Sequence, residues 1–138
     1  RRSLDAGVPV SLGTDVGAGT SLCLLDVIRD AYGVAQLVGA PLSIGELLHS
    51  ATLAGAQTLG IVDQVGNFAP GKQANFLVLN PHPDSHLAAR WTACESIEER
   101  FFSAALLGGA AAIQQTVLKG AEVPKTPTDG RSSLPHNG

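Results

Sequence analysis

Methionine is missing from the 138 residues, cysteine occurs only as Cys23 and Cys94, and charged side chains make up just 15% of the chain. Two cysteines so widely separated form no C-x-x-C motif and, in a chain of this size, no disulfide scaffold; a reduced, cytoplasmic setting is expected. Scarce charge combined with 44% hydrophobic residues excludes a disordered chain. A formal net charge of −3 leaves no basic surplus for nucleic acid or an anionic membrane. The longest nearly uncharged run, residues 101–113, falls short of the ~20 residues that cross a bilayer. Arg1 and Arg2 are followed by SLDAG and not by the apolar core of a secretory signal. What remains is a length sufficient for one domain with its own core. A start on arginine without any methionine suggests a piece of something longer.

Residues 1–7 read as the last turn of a helix, with Gly7 available for a left-handed C-terminal position. Residues 8–12 then read as a short strand, closed by Gly13-Thr14-Asp15 and a glycine-punctuated loop whose Thr20 and Ser21 could cap a following helix. Leu24, Ile28, Ala31 and Ala35 recur at helical spacing, and Gly39 and Pro41 end that helix near Val38. Ser43 and Glu46 form an S-x-x-E capping box. The helix they open carries Ile44, Leu47, Leu48, Ala51 and Leu59 as its buried stripe and ends at Gly60. Residues 75–79, NFLVL, predict a strand stopped by Asn80-Pro81, and the polar, proline-containing stretch to Ser96 predicts a loop. A helix is expected over 97–107, broken by Gly108-Gly109. A hairpin follows, with 113–118 and 121–123 joined by Lys119-Gly120. Residues 124–138, rich in Pro, Thr, Ser and Gly, predict a disordered tail.

Several apparent motifs dissolve on inspection. Gly66 to Lys72 satisfies G-x-x-x-x-G-K, but Gln73 stands where a phosphate loop needs a hydroxyl, Pro70 removes a backbone donor, and a strand follows instead of a helix. Gly13, Gly17 and Gly19 miss the G-x-G-x-x-G spacing of a dinucleotide loop. His82 and His86 are four apart, yet Pro81 and Pro83 forbid a regular helix through both. His49 lies on the polar side of the capped helix and His136 in the tail. Asp15 is the residue on which chemistry could hang, since α/β folds place reactive groups at the carboxyl ends of strands. Taken alone, the same residue reads first as an N-cap or turn former. One carboxylate does not hold zinc, which takes three or four protein ligands or water.

The segments LGTDVGAGTS (12–21), DAYGVAQL (30–37), ATLAGA (51–56) with Leu59-Gly60, VGNFAPGK (65–72), FLVL (76–79) and 113–123 follow one another in order. In that order they resemble the amidohydrolase superfamily of metal-dependent (β/α)8-barrel hydrolases, and within it the branch that deaminates guanine. The resemblance implies an α/β fold in which this chain is the carboxyl-terminal part of a TIM barrel. Residues 1–64 would be the last barrel strand and outer helices. Residues 65–123 would be part of a composite β-sandwich with one helix. A whole barrel takes about 250 residues.

It also implies hydrolytic deamination of guanine to xanthine and ammonia, a step of purine catabolism, by a cytoplasmic enzyme that is a homodimer when full length. In the family, a His-x-His pair, two later histidines and the aspartate of the eighth strand bind one zinc. Only the aspartate is carried by this chain, at Asp15. There it would ligate Zn2+, take the proton of the zinc-bound water that attacks the amidine carbon, and help pass it to departing ammonia. The isolated segment would then be inactive, its other ligands lying elsewhere. The H-x-E and P-C-x-x-C signatures of cytidine-type deaminases are absent.

Two departures from the pattern stand out. Asn75 replaces the usual Asp before the apolar strand, and Leu107-Gly-Gly-Ala-Ala-Ala-Ile113 replaces an acidic L-G-D-D-R-x-I turn. The alternatives are another amidohydrolase acting on a triazine, pyrimidine or adenosine-like ring, or a non-catalytic remnant that associates with another chain through residues 8–12 and its apolar helix faces.

Overall fold

The computed structural model describes residues 2–82 and 85–124. A short helix, α1 (Arg2–Asp5), leads through an extended segment and a glycine loop into α2 (Leu24–Leu37). After α2 come α3 (Ile44–Ala51), α4 (Leu53–Thr58), strand β1 (Phe76–Leu79), α5 (His86–Thr92) and α6 (Ile97–Ser103). One wide π turn (Ala104–Gly108) and one 3-10 turn (Gly109–Ala112) then deliver β2 (Ile113–Leu118) and β3 (Ala121–Glu122).

The three strands form an antiparallel sheet in the order β1-β2-β3. Phe76 faces Val117 and Leu79 faces Ile113, with a register irregularity between Val78 and Leu79. The expected hairpin is present: Lys119 and Gly120 both take positive φ, the two-residue geometry whose twist matches that of the flanking strands. Asn75 locks this corner, because its side-chain carbonyl accepts the Lys119 N–H at 2.6 Å. An amide oxygen thus makes here a bond that needs no carboxylate.

The core has two parts. Leu25 and Ile28 of α2 meet Leu47 of α3 and Ala105 of the π turn, with Leu12, Tyr32, Phe101 and Ile113 around them. Leu87 of α5 meets Ala104 and Ala112, flanked by Leu79 and Trp91. Tyr32 and Phe102 add an edge-to-face contact between α2 and α6, at 4.9 Å between ring centroids.

Four expectations change. Residues 8–12 are extended but form no strand: among the described residues no ladder partner lies beside them, and Leu12 N–H bonds instead to the Ser50 carbonyl at 2.9 Å. The capping box at Ser43 is present in both directions, yet the helix it opens does not run through to Gly60. It breaks at Thr52 (φ −132°, ψ −90°), whose hydroxyl donates to the Leu48 carbonyl at 2.7 Å and competes with the helical ladder. The restart at Leu53 turns the face, so Leu59 is 72% exposed instead of buried. The expected loop before Ser96 contains α5, because Ser85 caps it: its Oγ accepts the Ala88 N–H and donates to the His82 carbonyl. The helix at 97–107 is regular only to Ser103 and widens into the π turn beyond it. The tail reading falls outside the described residues except at Pro124, as do Arg1, Pro83, Asp84 and His136.

Leu47 is 1% exposed and Leu59 is 72% exposed, although both lie on the stripe the sequence assigns to the core. Leu47→Ala is expected to destabilise the chain by about 2–5 kcal/mol in urea denaturation. Leu59→Ala should stay within about 0.5 kcal/mol, and a loss comparable to that at Leu47 would contradict the break at Thr52.

Candidate active site

The extended segment 8–14 carries the chain up to Asp15, which stands exposed at the mouth of the glycine loop. Its backbone is in the left-handed region, φ +50°, where side chains other than glycine are uncommon and Asp is among the few that tolerate it. Such a conformation costs on the order of 1–3 kcal/mol and persists only where its surroundings impose it. Here the imposing contacts are local. The Asp15 carbonyl accepts the N–H of Ala18 at 3.0 Å and of Gly19 at 2.6 Å, closing a tight turn. Gly19 approaches so closely that a Cβ on it would fall on the carbonyl oxygen of Thr14.

The far end of the loop is tied to α2. Thr20 Oγ1 donates to Asp30 at 3.3 Å and Ser21 Oγ to Asp26 at 2.6 Å, while Ser21 Oγ accepts the Cys23 N–H at 3.0 Å. Neither Thr20 nor Ser21 is the N-cap of α2; that position is Cys23, which makes no side-chain cap bond. The capping expectation is therefore replaced by a side-chain anchor. Arg29 completes the cluster, bonding Asp26 at 3.0 Å and Asp30 at 3.3 Å.

His49 is exposed on α3, while His82 precedes α5 and His86 opens it, both at the surface. Among the described residues no three His, Cys, Asp or Glu side chains come together in a group able to hold a metal ion. Cys23 and Cys94 are free thiols; Cys94 is buried and bonds through Sγ to the Arg90 carbonyl at 3.2 Å. In the G-x-x-x-x-G-K stretch Lys72 Nζ turns back onto the Val65 carbonyl at 3.4 Å. The sequence reading missed Ser21, Asp26 and Gly109 as a group. Their only advance signal was the S-x-x-x-x-D spacing across the start of α2, which no motif names. No helix among the described residues is long and apolar enough to cross a membrane.

The sequence profile of the Amidohydrolase family matches residues 1–123. The chain is 40% identical over 113 residues to a guanine deaminase of Escherichia coli, covering 82% of this chain and 26% of that protein. It is 51% identical over 107 residues to a protein named "Probable guanine deaminase" of Deinococcus radiodurans, covering 75% of this chain and 24% of that one. The solved structure of the E. coli guanine deaminase superposes with a TM-score of 0.83 at 37% identity, over 91% of this chain and 29% of that chain. The chain thus spans about a quarter of the length of the curated relatives it matches.

The steric reading of the loop has a direct check. Gly19→Ala should destabilise by more than about 1 kcal/mol in chemical denaturation, because backbone must move to admit the methyl group. Gly13→Ala is the control: a Cβ there meets nothing within 4 Å, and the chain should be unaffected or slightly stabilised. Equal effects at the two positions would contradict the packing described.

Proposed function

Because the chain belongs to the amidohydrolase family, we propose that it is the carboxyl-terminal portion of an enzyme that hydrolyses guanine to xanthine and ammonia. Residues 1–64 would contribute the last barrel strand and outer helices, and 65–123 part of a β-sandwich. The observation that carries the substrate assignment is the identity of 40% and 51% to proteins named for guanine deamination, over 113 and 107 residues. Asp15 is the residue we assign to the chemistry. It combines exposure with a strained left-handed backbone held by its own loop, a pairing found where function retains a costly conformation.

The zinc dependence implied by the resemblance does not fit the described residues by themselves. A zinc site needs three or four protein ligands, and these residues gather no such group. Asp15 would be one contributor, and the remaining ligands would have to come from outside them. What Asp15 itself can do is clear from its chemistry. A carboxylate at the site accepts a proton from the attacking water as the new C–O bond forms. It returns that proton to the amino group as the C–N bond breaks and ammonia leaves. The complete enzyme would act on the purine in the cytoplasm as a homodimer, and the isolated chain would be inactive.

Two measurements test this. The purified 138-residue chain supplied with zinc should release no ammonia from guanine; release at an enzymatic rate would overturn the inactivity of the isolated chain. Replacing the matching quarter of the E. coli guanine deaminase with residues 1–123 should give a chimera that deaminates guanine, and Asp15→Asn in it should lower kcat by about 10²–10⁴-fold. A folded chimera that prefers a triazine or pyrimidine, or that is indifferent to Asp15→Asn, would overturn the assignment.

A further inference from the structure

We infer that Ser21, Asp26 and Gly109 form a clamp that holds the Asp15 loop in its left-handed turn, with Asp26 as a positioning residue. The inference deepens the reading of Asp15 as the working carboxylate and rests on it for its functional meaning. Its structural content stands independently.

The Asp26 side chain is 19% exposed and both its oxygens are engaged. Oδ2 accepts the Ser21 hydroxyl at 2.6 Å, a short bond of the charge-assisted kind, and Oδ1 accepts Arg29 Nη1 at 3.0 Å. The Ser21 hydroxyl gives its one proton to Asp26 and accepts the Cys23 N–H, so it has no freedom to rotate without losing a bond. Only Thr20 separates Ser21 from Gly19, whose N–H closes the turn on the Asp15 carbonyl. A shift at Asp26 therefore reaches Asp15 through two hydrogen bonds and a stretch of chain too short to absorb it.

The third member is on the opposite side of the carboxylate. A Cβ built on Gly109 would lie 2.6 Å from Asp26 Oδ1 and 3.4 Å from its Cγ, so the carboxylate occupies the space a side chain would fill. Gly109 has φ +49° and ψ −135°, a backbone that only glycine adopts readily. The bend after the π turn thus fixes where Asp26 can sit, and Asp26 fixes Ser21. Arg29 bonds Oδ1, the same oxygen that Gly109 approaches, and Asp30, and makes no bond to the loop itself.

Amide hydrogen exchange, followed by NMR on the full 138-residue chain, reads this clamp at Ala18 and Gly19. Ser21→Ala and Asp26→Ala should each raise exchange at both amides by about tenfold. The double variant should go no further than the larger single one, because both remove the same bond. Exchange at Leu47 in the core should not change. Ser21→Thr, which keeps the hydroxyl, should restore protection. Gly109→Ala, where folded, should reproduce the Asp26→Ala pattern, and Arg29→Ala should leave the two loop amides near wild type. Unchanged amides at 18 and 19 in both single alanine variants would overturn the clamp, as would a rise at Leu47 equal to theirs. Failure of the Asp15→Asn chimera assay would remove the catalytic reading and leave these exchange results standing, so the two can fail separately.

Discussion

Leu25 and Ile28 on the inner side of α2 come within contact of Leu47 and the chain beyond α6 because the residue meeting them there is Ala105. Ala104 and Ala112 do the same for Leu87 from α5. Each of these alanines is essentially fully buried, between 0% and 1% exposed. A larger side chain at any of the three would hold α2 or α5 away from the turn and open gaps elsewhere, since interiors at close-packed density do not absorb extra volume. The π turn and the 3-10 turn belong to the same constraint. They compress the connection between α6 and β2 so that Ile113 enters the sheet while its neighbours still face α2 and α5. Both core clusters, the position of β2 and the seat of α2 follow from how closely this alanine segment can be approached.

Legibility in the sequence divides along the same physical line. Features set by a few adjacent residues were readable: the Ser43-Glu46 capping box, the helix of α2, the strand at 76–79 and the Lys119-Gly120 hairpin are all decided by local hydrogen bonds or backbone preference. Features set by neighbours distant in sequence were not. Residues 8–12 have the composition of a strand, but a strand exists only beside another, and the bond that Leu12 makes is to a helix residue, Ser50. The helix from Ser43 carries an unbroken apolar period through Leu59, yet Thr52 diverts it through a bond to Leu48, a choice that period alone does not encode. The helix from His86 was hidden by the prolines before it, although Ser85 had the composition of a cap.

At the candidate site the sequence singles out a candidate, Asp15, and withholds its surroundings. Asp15 could be named from the glycine pattern that follows it, and the resemblance to amidohydrolases attached chemistry to it. Its left-handed backbone and the anchor of the loop on α2 needed coordinates, because both depend on where Ser21 and Gly19 end up relative to residues already folded. The histidines illustrate the converse. For His82 and His86, a spacing of four is offset by Pro81 and Pro83, which argue against one helix through both, and His82 lies before the helix that His86 opens, each exposed at the surface.

The departure at 107–113 takes on a physical meaning once Asp26 is considered. The family pattern stated above places an acidic residue where this chain has Gly109. In this packing Asp26 Oδ1 lies 2.6 Å from the point where a Cβ at 109 would be, so the acidic side chain of that pattern would collide with the carboxylate at its first carbon. A Cβ that close to a carboxylate oxygen is a steric overlap, and any side chain at 109 would push Asp26 away from Ser21. Glycine at 109 and aspartate at 26 are thus mutually consistent, and each constrains the other. The loss of charge in the 107–113 turn is then compatible with a packed, anchored loop around Asp15, and sequence drift is not required to account for it.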